Sequence, residues 1–155
     1  MQIREFMTQP VVTVHEDTTL EEVARTMLEQ HIGGVPVVNA QGKLSGIITV
    51  SDFTAKEHGI PFSTFRAPQV FGHWLGGEPL EQIYAMARQM TVRDIMSPHV
   101  ITVTEEQAGE EAMTLFLRHD IHRIPVVRDG VPVGMISQYD LLRLMMPKPQ
   151  RGVRL

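Results

Sequence analysis

The chain has 155 residues, of which 43% are hydrophobic and 21% are charged, and its formal net charge is −4. This length predicts one compact domain or two small ones packed together. An acidic chain lacks the strongly basic face that nucleic acid or an anionic membrane requires, so we expect neither partner. The absence of cysteine excludes disulfides, thiolate metal sites and cysteine nucleophiles. We expect a cytoplasmic protein, because no signal peptide or membrane-length apolar run is visible.

An internal repeat organises most of the chain. Residues 3–53 align with residues 92–141 across one gap near Gln41, and about a third of the aligned positions are identical. Most of the differences exchange one apolar residue for another. Such self-similarity is the signature of a duplicated structural unit.

Each repeat begins with the same series of elements. A short helical lead-in precedes a Val/Thr-rich strand, predicted at residues 11–14 and 100–103. Thr18 and Thr19, each three residues before a glutamate, form capping-box signals for a helix over about 20–30. The helices carry apolar stripes at helical spacing. The stripe residues are Leu20, Val23, Ala24, Met27 and Leu28 in the first repeat, and Ala112, Leu115, Phe116 and His119 in the second.

Two strands joined by a tight turn follow, with turns at 39–42 and 128–130, and a short helix from about Ser51 or Tyr139 closes the repeat. The fold class is therefore mixed α/β: two pseudosymmetric β-α-β-β-α repeats packed sheet to sheet. One repeat of about 50 residues buries little surface by itself, so we expect two copies to cover each other and to leave clefts where they meet.

The predicted organisation has four parts: repeat 1 over 1–56, an aromatic-rich linker with a helix over 57–91, repeat 2 over 92–146 and a flexible tail over 147–155. A helix stripe in the linker begins after Pro79. Its residues are Leu80, Ile83, Ala87 and Met90. Five of the nine aromatic residues lie in the linker: Phe62, Phe65, Phe71, Trp74 and Tyr84. Either they cover the module's own core, which we prefer, or they form a dimer or partner surface.

The repeated segments resemble the cystathionine-β-synthase (CBS) domain family, whose paired form is called a Bateman module. The resemblance rests on residues 32–38 and 46–52 in the first copy and on 121–127 and 134–140 in the second. It implies a regulatory module and no enzyme, with AMP, ADP, ATP or S-adenosylmethionine as its ligand and a role in energy sensing. It also implies a homodimer and an effector protein that the sequence does not identify. The alternative is a ligand-independent interaction module that uses the aromatic linker.

In this family the segment Gly-h-h-[Ser/Thr]-x-x-Asp, where h is apolar, contributes to adenosine binding, which assigns ligand contacts to Thr49, Asp52, Ser137 and Asp140. A carboxylate can accept hydrogen bonds from both ribose hydroxyls. The glycine of the segment lets backbone approach a ligand. The other interpretation is that both Ser/Thr-x-x-Asp motifs are ordinary helix caps, and the two roles are compatible.

The repeats differ where the second has His122 and Arg123 and the first has two glycines. The resemblance implies phosphate contacts for these basic residues, whereas the alternative is a solvated pair at a helix end. The remaining candidate contacts, several of which could enclose a purine, are Val12, Thr13, Val35, Pro36, Ile101, Thr102, Ile124 and Pro125. We expect no metal site and no cofactor beyond the regulatory ligand, because His119 and His122 lack an evident third ligand.

Overall fold

The computed structural model describes residues 1–53 and 80–146. The predicted tail and the linker aromatics Phe62, Phe65, Phe71 and Trp74 lie outside the described residues. The chain divides into two compact units, one formed by Met1–Val11 with Ile101–Leu155 and the other by Val12–Val100. In the described ranges, no helix has the length and apolar character needed to cross a membrane.

The unit formed by Val12–Val100 contains a three-stranded sheet in the order β1-β2-β3. Strand β1 is parallel to β2, and β2 is antiparallel to β3. The elements in chain order are β1 (Val14–His15), α1 (Leu20–Gln30), β2 (Gly34–Val38), β3 (Leu44–Thr49), a 3₁₀ helix (Val50–Phe53), α2 (Leu80–Ala87) and α3 (Val92–Ile95). Helix α2 lies within the predicted linker.

The other unit has the same order of helix, hairpin and 3₁₀ helix, and its sheet is a two-stranded antiparallel hairpin. Its elements are a 3₁₀ helix (Ile3–Glu5), α4 (Gly109–His119), β4 (Arg123–Arg128), β5 (Val131–Ser137) and a second 3₁₀ helix (Gln138–Met145). At the turn of this hairpin Asp129 and Gly130 both have positive φ, 51° and 79°. Two successive residues of this kind produce a turn whose twist suits the flanking strands. The mixed α/β fold class is confirmed.

The first strand of each repeat is shorter than predicted. Only Val14 and His15 form a strand, opposite Val37 and Val38 of β2, and Val103 makes a single bridge to Val126. The β-branched residues before them favour extended backbone, but a strand also needs a neighbour for its hydrogen bonds. The prediction of strands over 11–14 and 100–103 was therefore wrong in length.

Helix α1 begins and ends where the sequence indicated. The side-chain oxygen of Thr19 accepts a hydrogen bond from the Glu22 backbone N–H at 3.3 Å, whereas Thr18 accepts one from the His15 N–H. Leu20, Val23 and Met27 are buried. The stripe was too wide, however, because Leu28 is 76% exposed.

The apolar stripe predicted for helix α4 was also wider than its buried face. Ala112 and Phe116 are buried, as the stripe indicates. His119 is exposed, so its assignment to the stripe was wrong. It is the last residue of the helix, and Asp120 after it adopts a left-handed conformation that ends the helix there.

The lead-in of each sequence repeat belongs to the compact unit built from the other repeat. Thr8 exchanges backbone hydrogen bonds with Met135, at 2.9 and 3.1 Å, and Ser97 exchanges two of 3.0 Å with Ile47. The core of the unit that includes residues 101–146 contains Ile3, Phe6 and Met7 from the lead-in of the first repeat. The core of the unit formed by Val12–Val100 contains Val92 and Ile95 from the lead-in of the second repeat. Each core is completed by a segment distant in sequence.

Candidate functional site

The hydroxyl and carboxylate predicted in the second repeat lie together at the end of β5. Oδ2 of Asp140 accepts hydrogen bonds from the Ser137 backbone N–H at 2.8 Å and from the Ser137 hydroxyl at 3.1 Å. Asp140 is 5% exposed, and its Oδ1 lies 4.0 Å from the Arg143 guanidinium. The carboxylate therefore caps the 3₁₀ helix that follows.

The first repeat has the same arrangement at the end of β3. Oδ2 of Asp52 accepts hydrogen bonds from the Thr49 N–H at 2.8 Å and from its hydroxyl at 3.3 Å. The Thr49 hydroxyl also lies 2.7 Å from the Ser51 hydroxyl. Asp52 is 6% exposed. The capping interpretation is thus confirmed at both positions, which leaves a ligand contact by these residues as a prediction compatible with it.

The basic pair of the second repeat lies beside Ser137. Arg123 opens β4 directly opposite Ser137 in the strand register, and Nδ1 of His122 lies 3.2 Å from the Gln138 side-chain oxygen. Arg123 is partly buried, and its guanidinium makes no ion pair or hydrogen bond with the described residues. Burial lowers the pKa of Arg123 from its ordinary value. Even when lowered, the pKa of an arginine guanidinium stays far above neutral pH, so the Arg123 side chain remains charged.

The structure thus gathers four predicted residues at one end of the β4–β5 hairpin: His122, Arg123, Ser137 and Asp140. In the other unit, Thr49 lies opposite Gly34, and Val50 donates a backbone hydrogen bond to Gly33. No side chain occupies the place that Arg123 has in its repeat. The two ends are therefore alike in their caps and different in charge.

The apolar candidates divide by burial. Val35 and Ile124 are fully buried in the cores of their own units, and Pro36 and Pro125 are buried in the same strands. Val12 and Thr13 belong to one unit, and Ile101 and Thr102 belong to the other. Of these last four, Thr13 is exposed and the rest are partly exposed.

The glycines of the repeated segment make room for the lead-ins. A Cβ on Gly46 would lie 2.5 Å from Sδ of Met96 and 3.0 Å from the Ser97 carbonyl oxygen. A Cβ on Gly134 would lie 2.6 Å from Sδ of Met7. The sequence analysis interpreted the glycine of each segment as room for a ligand to approach the backbone. Nothing in the local sequence indicates which distant segment packs on it.

In residues 1–53 and 80–146, no three histidine, aspartate or glutamate side chains cluster closely enough to hold a metal ion. His119 and His122 are both exposed.

A duplicated β-α-β-β-α unit with a capped Ser/Thr-x-x-Asp segment in each copy defines a tandem repeat module. Residues 3–59 and 92–147 match the sequence model of the CBS domain. The chain belongs to the CBS domain family, as the resemblance of its motifs indicated.

Relatives and solved structures agree with this assignment. The chain is 31% identical to the uncharacterized protein MJ1426 of Methanocaldococcus jannaschii, over 94% of this chain and 92% of that protein. It is 42% identical to the solved CBS domain of a CBS domain-containing membrane protein from Sphaerobacter thermophilus, with a TM-score of 0.72 over 94% of this chain and 88% of that chain. The CBS domain pair of protein MJ0100, solved with 5′-methylthioadenosine and S-adenosyl-L-methionine, is 23% identical with a TM-score of 0.67, over 94% of this chain and 95% of that chain.

Proposed function

We propose that this chain is a regulatory, non-catalytic module that binds an adenosyl ligand, AMP, ADP, ATP or S-adenosylmethionine, and transmits binding to a partner protein through a conformational change. A ligand shifts such an equilibrium only by binding one conformation more tightly than the other. The family is that of regulatory CBS modules, and the protein MJ0100 pair, which shares the fold, was solved with two adenosyl compounds.

One observation carries the proposal: Arg123 is partly buried and has no acidic partner among the described residues. Removing a charge from water is costly unless a counter-charge or hydrogen bonds replace the solvent. An anionic ligand would provide both, and a guanidinium matches phosphate oxygens with paired N–H donors. We therefore assign the phosphate of a nucleotide to Arg123, with His122 next to it.

The neighbouring groups suit a ribose. The Ser137 hydroxyl lies opposite Arg123 across the β4–β5 pair. Asp140 uses Oδ2 for the cap, and its Oδ1 is 4.0 Å from Arg143 and can accept from a ribose hydroxyl. Thr49 and Asp52 repeat this arrangement without a basic residue, so we infer weaker phosphate affinity for that end.

The test is calorimetric titration of the full chain with adenosine, AMP, ADP, ATP and S-adenosylmethionine, on wild type and Arg123→Gln. We expect Arg123→Gln to weaken AMP binding by about 10- to 100-fold, because a hydrogen bond to a charged group is lost. Adenosine binding should be unchanged, since adenosine has no phosphate. The matched control is Arg118→Gln, which removes an exposed arginine of α4 in the same unit.

Three outcomes would contradict the proposal in different ways. Folded wild-type protein that binds none of the five compounds would refute the adenosyl class. Tight binding of S-adenosylmethionine with no binding of nucleotides would retain that class and refute the phosphate role of Arg123. Steady turnover of ATP or AMP by purified protein, measured by product release, would refute the non-catalytic assignment.

A further inference from the structure

The side chain of Gln138 contacts two groups at the end of the β4–β5 hairpin. Its Nε2 donates a hydrogen bond to the Ile121 carbonyl oxygen at 3.2 Å, and its Oε1 lies 3.2 Å from Nδ1 of His122. Gln138 is the first residue of the 3₁₀ helix that follows β5. The residue occupies an unspecified position of the Ser137-x-x-Asp140 segment, so the motif alone gives it no role.

The contact with Ile121 fixes which way the amide of Gln138 faces. A carbonyl oxygen only accepts, so the amide NH₂ faces Ile121 and the amide oxygen faces His122. This oxygen requires an N–H from the imidazole, and the single proton of the neutral ring therefore lies on Nδ1. Nε2 of His122 has no hydrogen-bond partner among the described residues.

The first repeat shows that the fold does not need this side-chain pair. The Gln138 backbone N–H donates to the His122 carbonyl oxygen at 3.1 Å, and the Val50 N–H donates to the Gly33 carbonyl oxygen at 3.0 Å. The backbone contact is thus the same in both repeats, but glycine and valine cannot form the side-chain contact. The pair of His122 and Gln138 is present only in the repeat that also contains Arg123.

The pair is exposed and forms no ion pair. Both side chains are exposed, so the hydrogen bond between them adds little to stability, because water competes for each partner. None of the charged or titratable groups on the elements that meet here forms an ion pair with His122 among the described residues. These groups are His119 and Asp120 at the end of α4, Arg123 on β4, and Asp140 and Arg143 on the 3₁₀ helix.

A contact between His122 and a phosphate oxygen has to use Nε2, because Gln138 occupies Nδ1. At about pH 7.5 a phosphate monoester is mainly a dianion and offers only acceptors. The phosphate oxygen and the Gln138 Oε1 are then two acceptors that face the two nitrogens of one ring. The ring satisfies both only as the imidazolium, with an N–H on each nitrogen. The contact therefore takes one proton from solvent and gains from the opposite charges.

We propose that Gln138 is a positioning residue for nucleotide binding: it holds Nδ1 of His122 as a donor, so that phosphate binding at Nε2 takes up a proton. Without Gln138, the neutral ring can place its single proton on Nε2 and donate it to the phosphate with no uptake. The inference deepens the proposed function and rests on it, since it requires a nucleotide phosphate at His122 beside Arg123.

Calorimetric titration of the full chain with AMP in two buffers of different ionisation enthalpy counts the protons taken up on binding. We expect wild type to take up about one proton at about pH 7.5 and Gln138→Met to take up less than half as much. Methionine keeps the length of the side chain and removes both polar atoms. The matched control is Gln41→Met, because Gln41 is exposed in the turn between β2 and β3 of the other unit. Equal uptake by wild type and Gln138→Met would overturn the proposal.

A double-mutant cycle separates positioning from a structural effect. Gln138→Met should weaken AMP binding by about 3- to 10-fold, because the ring is no longer held in one orientation before the ligand arrives. In a His122→Ala background the same substitution should change neither affinity nor proton uptake, since no ring remains to be positioned. Adenosine, which lacks a phosphate, should bind all four proteins equally. An effect of Gln138→Met on AMP binding that persists without His122 would contradict the proposed role.

A measurement without ligand tests the contact itself. Nitrogen NMR of the neutral His122 ring in alkaline buffer should find the proton mainly on Nδ1 in wild type. In Gln138→Met it should lie mainly on Nε2, the tautomer that an imidazole in water favours. The same tautomer in both proteins would overturn this inference and leave the proposed function standing. Absence of AMP binding by wild type with the expected tautomer would instead refute the proposed function, and the ligand role of Gln138 with it.

Discussion

Single residues of the repeated segment have structural duties that its sequence alone does not separate. The aspartates cap short helices, with one carboxylate oxygen accepting from a backbone N–H and a hydroxyl in each repeat. The glycines lie against the methionines of the lead-ins. A ligand would therefore meet a site whose side chains are already fixed by local hydrogen bonds, and this favours binding because less ordering remains to be done.

Substitution of Asp140 should show how much its helix cap contributes to stability. Asp140→Ala removes the acceptor, and we expect it to lower the free energy of unfolding by about 1–2 kcal/mol. Asp140→Asn keeps an oxygen that can accept the same bonds and should cost less than half of that. Urea denaturation measures both variants. Equal stability of Asp140→Ala and wild type would show that the cap contributes nothing.

Gly46 should prove sensitive to the smallest side chain. Gly46→Ala places a methyl group against Met96 and the Ser97 carbonyl oxygen, and we expect a loss of about 1–3 kcal/mol from overpacking. Part of this loss should disappear in a Met96→Ala background, where only the backbone contact remains. A double-mutant cycle of unfolding free energies measures this coupling. Strictly additive effects would mean that Met96 does not oppose the new methyl group.

At the scale of elements, an arginine in each lead-in forms equivalent ion pairs with acidic side chains. Arg4 pairs with Glu106 at 3.0 Å. Its counterpart Arg93 pairs with Glu16 at 2.8 Å and with Asp17 at 2.9 Å. In both cases an arginine of the lead-in meets acidic residues just before the first helix of the unit on which it packs. The duplication has therefore preserved this ion pair together with the core contacts of the lead-in.

The ion pair between Arg93 and Glu16 should affect the acid titration of the Glu16 carboxyl. The hydrogen bond from the Arg93 guanidinium lowers the pKa of the Glu16 carboxyl below its ordinary value. A lowered folded-state pKa means that the contribution to stability is complete above the unfolded pKa and is lost as the pH falls through the folded pKa. We expect an NMR titration of the Glu16 carboxyl carbon to have a lower midpoint in wild type than in Arg93→Gln. Identical midpoints would show that the Arg93–Glu16 ion pair is not formed in solution.

On the scale of the whole molecule, the repeats of the sequence and the compact units of the structure do not coincide. One unit consists of Val12–Val100, and the other joins Met1–Val11 to Ile101–Leu155. The boundaries of repeat 1, linker, repeat 2 and tail remain predictions about sequence organisation. For folding, the relevant division is the one that keeps each lead-in with the core it completes.

Fragments should reveal this division. Residues 12–100 contain Val92 and Ile95, which are buried in the core of their unit, whereas residues 1–91 contain the whole first repeat and lack both. We expect 12–100 to unfold cooperatively on heating and 1–91 to unfold without a sharp transition, because loss of two buried aliphatic side chains removes several kcal/mol. Circular dichroism melts of both fragments make the comparison. A sharper transition for 1–91 would contradict the exchange of lead-ins.

The sequence by itself determined the repeat, the α/β class, the family, the bounds of α1 and the capped Ser/Thr-x-x-Asp segments. These features depend on local patterns: helical spacing, cap residues, turn residues and a motif present twice. The candidate ligand residues followed from the same motif, and the structure places His122, Arg123, Ser137 and Asp140 at one end of a hairpin.

Only the tertiary structure decided which segment completes each core, what lies against Gly46 and Gly134, and which residues of an apolar stripe remain exposed. Leu28 and Met27 are neighbours in sequence and equally apolar, yet one is 76% exposed and the other 6%. The pairing of the Met1–Val11 segment with residues beyond 100 is likewise invisible locally. Contacts between segments distant in sequence depend on the path of the chain in space, and no local spacing or propensity encodes that path.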